Sequence, residues 1–436
     1  MQSKIKVLFD ARPVVRFFDN TSYKSGIYFV SLNILKELSR FENLEITLWC
    51  DYFEVPFLKV FKLINADLNV KLRGGVTLWN AAASIVLYLK HLFRKTPFGD
   101  NIFKKAARFI LVRISRLIFR NLSSRQFIDD IRFDVVLSTK YAIPDCIAKN
   151  SKAVKALVLY DTIPIDYEEY RVAPTVDHDW FYNLLETIPQ ADICFTISNH
   201  TKNDFLRHFP NCNPEKFISC YLAADDRGFS LGLDSKKIEK IKKKYKIGRD
   251  KKYIFALANI EPRKNFTFVM NNFKEFVDKF NLKDELILLL GGDTCMSNTL
   301  LNNEIKKFTN EGYVLPAGYV DDKDLPLLYA GAEFFVYPSL YEGFGLPVLE
   351  AMTCGCPVIT SNTSSLPEVI GDCEIMINPK NKYEMQNAFT KLYFNRDFRN
   401  ECIVKGLARS KEFSWKKTAS IIIENLEKII KNRPLD

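Results

Sequence analysis

Tyr337-Pro338-Ser339-Leu340-Tyr341-Glu342-Gly343-Phe344-Gly345-Leu346-Pro347-Val348-Leu349-Glu350 continues through Cys354-Gly355-Cys356 to Pro357-Val358-Ile359, and these residue types predict a strand, a glycine loop and a helix. Pro347 suits a first helical turn, where its missing N–H costs nothing. Gly343 and Gly345, with Phe344 between them, let backbone amides come close to a ligand, and a helix start directs free N–H groups and positive dipole at an anion. A diphosphate suits that position. Glu342 in the loop and Glu350 in the opening turns of the helix can border one pocket, where carboxylates accept bonds from sugar and ribose hydroxyls. Read from these residues alone, one alternative stays open: Glu342 caps the helix and Glu350 is an exposed helical residue.

Upstream, Ala258-Asn259-Ile260-Glu261-Pro262-Arg263-Lys264-Asn265 follows an apolar run and precedes a helical pattern. Adjacent cations after a parallel strand face the same cleft mouth as the glycine loop and can neutralise a leaving diphosphate. The alternative is a solvated Arg-Lys turn with Asn265 capping the helix. Around these two segments, β-branched runs alternate with helical patterns along the whole chain, the signature of parallel α/β sheets. Strands are predicted at 5–10, 44–50, 133–138, 155–160, 191–197 and 216–222, with a helix over 25–41. A second series follows: strands 253–259, 286–291, 313–319, 333–338, 357–361 and 373–378, and helices 266–280, 323–331 and 346–354. The charged stretch from Asp234 to Tyr245 reads as a solvated helix after a linker. The expected organisation is therefore α/β, with two facing Rossmann-like domains. They divide as 1–228, carrying a basic insertion over about 76–125, and 229–415, with a last helix over 416–436 expected to cross back to the first domain.

With 436 residues, 47% of them hydrophobic, the chain is long enough for two cores, which excludes a disordered chain. Its start runs directly into the strand-like Ile5-Lys-Val-Leu-Phe9, without a basic start followed by an apolar run and a cleavage site, so a cytoplasmic protein is expected. Ten scattered cysteines form no CxxC pair and read as reduced, mostly buried thiols. The net charge of +10 is concentrated: between Tyr88 and Arg125, ten Lys and Arg residues face one acid, Asp100. From Phe103 to Arg120 the apolar positions fall on one helical face and the cations on the other, which fits an interfacial helix on anionic lipid or an ordinary domain helix with a solvated basic face. No nucleic-acid-binding module accompanies the charge, so nucleic acid is not an expected partner. Asp177-His178-Asp179 spells D-x-D but lies in a helical context away from the phosphate elements, and no metal site is expected there.

The segment 313–379 resembles the GT-B fold glycosyltransferases of family 4, retaining enzymes with an E-x7-E motif. Glu342 and Glu350 stand eight apart as that motif requires, and Pro262-Arg263-Lys264-Asn265 is similar to the family's phosphate-binding Arg-Lys element. The first half resembles the family more loosely, through Phe9-Asp10-Ala11-Arg12, Ser25-Gly26-Ile27 and Thr196-Ile197-Ser198. The resemblance implies donor-phosphate contacts from Arg263, Lys264, Gly343, Phe344 and Gly345, ribose contact from Glu350, and a donor and acceptor loop at Gly26. It implies catalytic positions at Glu342, Asp161 and Tyr160. One departure stands out: where relatives often carry His-Asp, this chain has Tyr160-Asp161, so an assisting histidine does not carry over. Asp161 capping a turn before Pro164 is the alternative for that residue.

The reaction so implied is retaining transfer of a hexose from a sugar nucleotide, GDP-mannose favoured by similarity to bacterial surface-polysaccharide mannosyltransferases, with no metal or other cofactor. A UDP-hexose donor and a non-catalytic subunit of a glycan assembly complex are the alternatives. A lipid-linked saccharide, carried on polyprenyl diphosphate, is the expected acceptor, and the inner face of the cytoplasmic membrane the expected location.

Overall fold

The structure, a computed structural model, describes residues 4–16, 26–50, 54–72, 133–144, 152–167, 179–224, 228–257, 261–292, 299–372 and 375–433. The basic insertion over 76–125, the expected interfacial helix within it, and Asp177 and His178 lie outside the described residues. In the first sheet, β1 (Ile5–Asp10), β2 (Leu44–Trp49), β3 (Val70–Leu72), β4 (Val135–Ser138), β5 (Val154–Leu159), β6 (Ile193–Thr196) and β7 (Phe217–Ser219) take the order β3-β2-β1-β4-β5-β6-β7. In the second, β8 (Lys252–Leu257), β9 (Leu286–Gly291), β10 (Val314–Gly318), β11 (Phe335–Tyr337), β12 (Val358–Ser361) and β13 (Ile375–Ile377) take the order β10-β9-β8-β11-β12-β13. Every strand pairing is parallel. Both orders grow one way for three strands and then restart beside the first, so each sheet has a switch point, between β1 and β4 and between β8 and β11. Ligands of such sheets bind beyond the strand carboxyl ends at that crevice.

The strands form where they do because both faces are covered. β4, β6 and β12 are buried at every position, which fits continuous rather than alternating apolar runs. The helices have identifiable starts. Ser198 accepts from the Thr201 amide at the head of Asn199–His208, Asp234 from Lys236 at the head of Ser235–Lys244, and Ser414 from Lys417 at the head of Trp415–Lys431. Only Ile241 is buried in Ser235–Lys244, as its charged composition requires. The helix Phe266–Phe280 and the strand β9 have the bounds read from the sequence. Helices Val55–Ile64, Thr299–Asn310, Lys382–Phe394 and Arg396–Ser410 are additional to that reading; the last two follow each other with only Asn395 between them, which caps the second through Phe398. The described cysteines are free, and all but the half-buried Cys212 are buried. No helix of the described residues is long and apolar enough to cross a membrane.

One buried cluster runs from β1 and β2 through Cys220, Leu222, Ala223 and Phe229 to residues of β8 and β11, so the two sheets share apolar packing along the connecting segment. The last helix, Trp415–Lys431, leaves the second domain and returns to the first. Ile423 and Leu426 come together with Ile5, Leu38, Leu44 and Leu137, Thr418 donates to the Tyr221 carbonyl at 2.5 Å, and Asn43 donates to Glu427 at 2.8 Å. Ile422 is fully buried in this helix. Ile422→Ala leaves a cavity between the last helix and the first domain and is expected to lower stability by about 2–5 kcal/mol. Urea unfolding followed by circular dichroism measures it; an unshifted midpoint would show that the helix contributes little to the first domain.

Candidate active site

The crevice beyond β8 and β11 holds a compact charged cluster. Pro262–Lys264 forms a single 3-10 turn directly after β8, and the buried Lys264 side chain donates to the Tyr337 hydroxyl at 2.7 Å and to Glu342 Oε1 at 2.5 Å. Ser339 Oγ donates to the same Oε1 at 2.6 Å, and Arg263 Nη1 lies 3.0 Å from it. Arg263 also pairs with Glu261 at 2.9 Å and donates to the Tyr341 carbonyl at 3.0 Å. Burial alone would raise the Glu342 pKa, but Arg263 and Lys264 outweigh it and hold the carboxyl down at about 2. The Lys264 pKa is lowered, first by burial and then by Arg263, against the pull of Glu342.

Asn265 stands at the head of helix Phe266–Phe280 in the left-handed region, at φ 62°, and its side chain does not cap that helix. It ties the turn instead to the Pro338 and Pro379 carbonyls at 3.3 and 2.8 Å. The solvated-turn alternative therefore fails for both Lys264 and Asn265. The alternative reading of Glu342 and Glu350 fails too: no side chain caps helix Leu346–Thr353, and both carboxylates are buried. Glu350 does not join Glu342 directly; it accepts from the Tyr329 hydroxyl at 3.3 Å. Tyr329 packs edge-on against Phe335, which stacks on Tyr337, so an aromatic ladder connects the surroundings of Glu350 with Lys264.

The glycine loop behaves differently from its expected reason at one position. A Cβ at Gly343 would lie 2.6 Å from the Tyr160 carbonyl oxygen and 3.1 Å from Asp161 Cβ. The absence of a side chain there serves the approach of the first domain, not room for a ligand. Phe344 likewise buries its ring between domains, against Tyr221 and Phe413. What remains for an anion is backbone: Gly343, Phe344 and Gly345 are buried, and among the described residues their amides meet no acceptor. Unpaired buried amides cost about 1–3 kcal/mol each, so a loop that carries several suits a ligand with strong acceptor oxygens. Gly345 adopts φ 111°, which a side chain resists.

From the first domain, Tyr160 and Asp161 follow β5. Asp161 accepts from the Ile163 amide at 3.1 Å, so it does cap the short turn, and it also faces Arg263, Glu342 and Glu261. Its pKa is raised, chiefly by burial, with Arg263 opposing. The Tyr160 ring packs against the shared core and its hydroxyl is buried. Gly26 opens helix Gly26–Leu38 and is exposed; residues 17–25 before it lie outside the described residues. In the same turn, burial raises the Tyr28 pKa, with the Asp322 charge of the second domain adding to it.

Several contributors carry no motif of their own. Tyr341 donates to Asp204 at 2.6 Å across the domains, Ser198 donates to the Gly343 carbonyl at 2.8 Å, and Glu368 accepts from the Asn199 and His200 amides at 2.8 and 2.7 Å. Glu368 thus places a carboxylate of the second domain at a helix N-terminus of the first, where the dipole favours it. Ser339 and Tyr341 stand three and one residues before Glu342, near enough to suspect, whereas Asp204 and Glu368 leave no signal in local sequence.

Two facing parallel sheets with this site between them define the GT-B fold class. Residues 237–409 match the family described as Glycosyl transferases group 1. O-antigen chain mannosyltransferase B of Escherichia coli is 32% identical over 233 residues, 53% of this chain and 60% of that protein. Serotype-specific mannosyltransferase WbdA of Escherichia coli is 28% identical over 275 residues, 63% of this chain and 33% of that protein. The chain thus spans 60% of the first of these relatives and a third of the second. Among solved structures, Anabaena Alr3699/HepE in complex with UDP and glucose aligns with a TM-score of 0.60 at 14% identity, covering 97% of this chain and all of that one. WaaG, a glycosyltransferase involved in lipopolysaccharide biosynthesis, aligns at 0.59 and 13%, covering 96% and 99%. At such identities the structures speak for the fold. The sequence relatives show a chain that resembles mannosyltransferases.

Two outcomes follow from this geometry. Gly343→Ala must push the domains apart at Tyr160, and small-angle scattering is expected to show a larger radius of gyration; an unchanged profile would mean the contact is absorbed locally. The depressed Glu342 pKa gives stability that is complete above the ordinary 4.5 and is lost as pH falls through about 2. The stability gap between wild type and Glu342→Gln is therefore expected to stay constant from neutral pH to about 4.5 and to close below it, measured by denaturant melts across pH.

Proposed function

We propose that this chain is a retaining hexosyltransferase that moves mannose from a nucleotide sugar, GDP-mannose in preference to a UDP-hexose, onto a saccharide acceptor in surface-polysaccharide synthesis. The observation that carries the reading is the joint presence, in one crevice, of the Arg263 and Lys264 cations and the unpaired amides of Gly343, Phe344 and Gly345. A diphosphate needs both: cations for its charge and N–H groups for its oxygens. The resemblance to O-antigen mannosyltransferases supports the sugar and the pathway class.

In this reading the acceptor hydroxyl attacks the anomeric carbon on the face from which the diphosphate departs. The bond from that carbon to the acceptor oxygen forms as its bond to the β-phosphate oxygen breaks, and the hydroxyl proton passes to the departing phosphate. The anomeric configuration is retained. Arg263 and Lys264 stabilise the charge that develops on the leaving oxygen. Glu342 acts as a positioning residue: bonded to Lys264 and beside Arg263, it holds both cations at the end of β8 and keeps them balanced before the donor binds. Glu350 accepts from the donor ribose. Asp161, beside Arg263 on the first-domain side, lies where the sugar and acceptor meet. Because the departing phosphate takes the proton, the reaction requires neither a tuned enzymatic base nor a metal. Action at the inner membrane face, on a lipid-linked acceptor, completes the proposal.

Calorimetric titration with GDP and with UDP, in the presence of a chelator, tests it. GDP is expected to bind, and Lys264→Ala and Arg263→Ala are each expected to weaken it by at least about tenfold, in line with the loss of a buried charge-assisted contact. Tighter binding of UDP would overturn the donor, and binding of neither nucleotide would favour a non-catalytic subunit.

A further inference from the structure

The carboxyl edge of the first sheet carries a second cationic cluster that the transfer reaction, as derived above, does not use. Reading across adjacent strands, β2 ends at Trp49, β1 leads to Asp10 and Arg12, β4 leads to Lys140 and Tyr141, and β5 leads to Asp161. Arg12 is buried, donates to Asp10 at 2.8 and 2.7 Å, and lies over the Trp49 and Tyr141 rings at 4.6 and 4.9 Å. Arg16 pairs with Glu54 and lies 4.5 Å from the Tyr141 ring centre.

Lys140 is the exception in this cluster. Its ammonium lies 4.7 Å from the Trp180 ring centre and 5.1 Å from that of Tyr141, and among the described residues it has no carboxylate or carbonyl partner. Ring faces attract a cation, but they do not satisfy the three donors of an ammonium. Burial, with Arg16 nearby, lowers its pKa to about 8. The loop that presents it is held at every neighbouring position. Ser138 Oγ is 2.8 Å from Asp10 and 2.6 Å from the Tyr141 carbonyl, Thr139 donates to Ser31 at 2.8 Å, and Arg12 donates to the Ala142 carbonyl at 2.9 Å. A lysine on a pinned loop, half-buried, uncompensated among the described residues, and set beside a tyrosine and a tryptophan is arranged for an anion on a ring-shaped ligand. Sugar rings lay their C–H faces on aromatic rings, and phosphate oxygens take ammonium donors.

We propose that Lys140, assisted by Arg16 and walled by Tyr141 and Trp180, forms a subsite for a phosphate group carried on a sugar of the acceptor. The inference rests on the transferase reading and gives its acceptor a chemistry. β4 is the neighbour of β5, so the subsite lies one strand away from Asp161, with strands spaced about 4.8 Å apart. That places it on the acceptor side of the crevice, across from Arg263 and Lys264.

The test uses the full chain with the donor site saturated by GDP, and titrates mannose 1-phosphate, methyl α-mannoside and inorganic phosphate, with tryptophan fluorescence as the second readout. Mannose 1-phosphate is expected to bind more tightly than either other probe. Lys140→Met is expected to weaken it at least tenfold while leaving GDP binding and methyl α-mannoside binding unchanged, and Trp180→Ala to weaken both sugars. Binding should also fall as pH rises through about 8, and this dependence should vanish in Lys140→Met. Tyr141, Arg16, Glu54 and Asp10 remain in place in both proteins. Sugar-phosphate binding that survives Lys140→Met, or that Lys264→Ala removes, overturns the subsite. Equal affinity for inorganic phosphate overturns its assignment to an acceptor. If no nucleotide binds, the transferase reading fails on its own, while the sugar-phosphate titration still reports on Lys140.

Discussion

The Glu342 carboxylate is the point on which the site depends. Two cations taken out of water beside each other repel and are each poorly solvated, and a buried ion costs several kcal/mol unless it is paired. Arg263 and Lys264 are held together because Glu342 accepts from Lys264 and lies beside Arg263, and Glu261 pairs with the same guanidinium. Ser339 and Tyr337 complete the partners. The arrangement stores positive charge at the end of β8 in neutral form. The cations are already positioned, so an anion that met them would find little reorganisation left for the moment of binding.

The same segment also forms a contact between the two sheets. Glu342 faces the cations after β8, while Tyr341 before it and Gly343 after it both touch the first domain, through Asp204 and through the Tyr160 carbonyl. Ser198 and Thr201 donate to the Gly343 carbonyl, and Glu368 accepts from the first amides of the helix that Ser198 caps. Adjacent residues of one loop thus set the buried charges of the crevice and the spacing of the domains. This coupling explains why glycine stands at 343: a side chain there would disturb the domain contact before it touched any ligand. The apolar counterpart is the group of Phe344, Tyr221 and Phe413, with the Arg409 guanidinium over Phe413.

Much of the frame was readable along the chain because parallel sheets covered on both faces leave continuous apolar runs. The strands from Leu286–Gly291 to Val358–Ser361 stand within a residue or two of their expected places for that reason. Helices Lys382–Phe394 and Arg396–Ser410 were less legible, since they are short of apolar periodicity and separated by Asn395 alone. At the site, Arg263, Lys264, Glu342 and the glycines follow from local spacing. Their partners Glu261, Ser339 and Tyr341 are neighbours that only the fold distinguishes from ordinary loop residues. Lys140 gave no signal at all, because a lone lysine near a strand end is common and its aromatic walls come from 141 and 180.

The sequence by itself determined the α/β class, the two tandem sheets and the residues that meet in the crevice beyond β8 and β11, because periodicity, glycine placement and adjacent charges are local properties. Tertiary structure alone decided what those residues do to each other. It placed Glu350 against Tyr329 and not against Glu342, gave Gly343 to the domain contact, and left Lys140 without a partner among the described residues. Each of these depends on distance between residues far apart in the chain, and a burial cost or a missing partner exists only once the fold has set that distance.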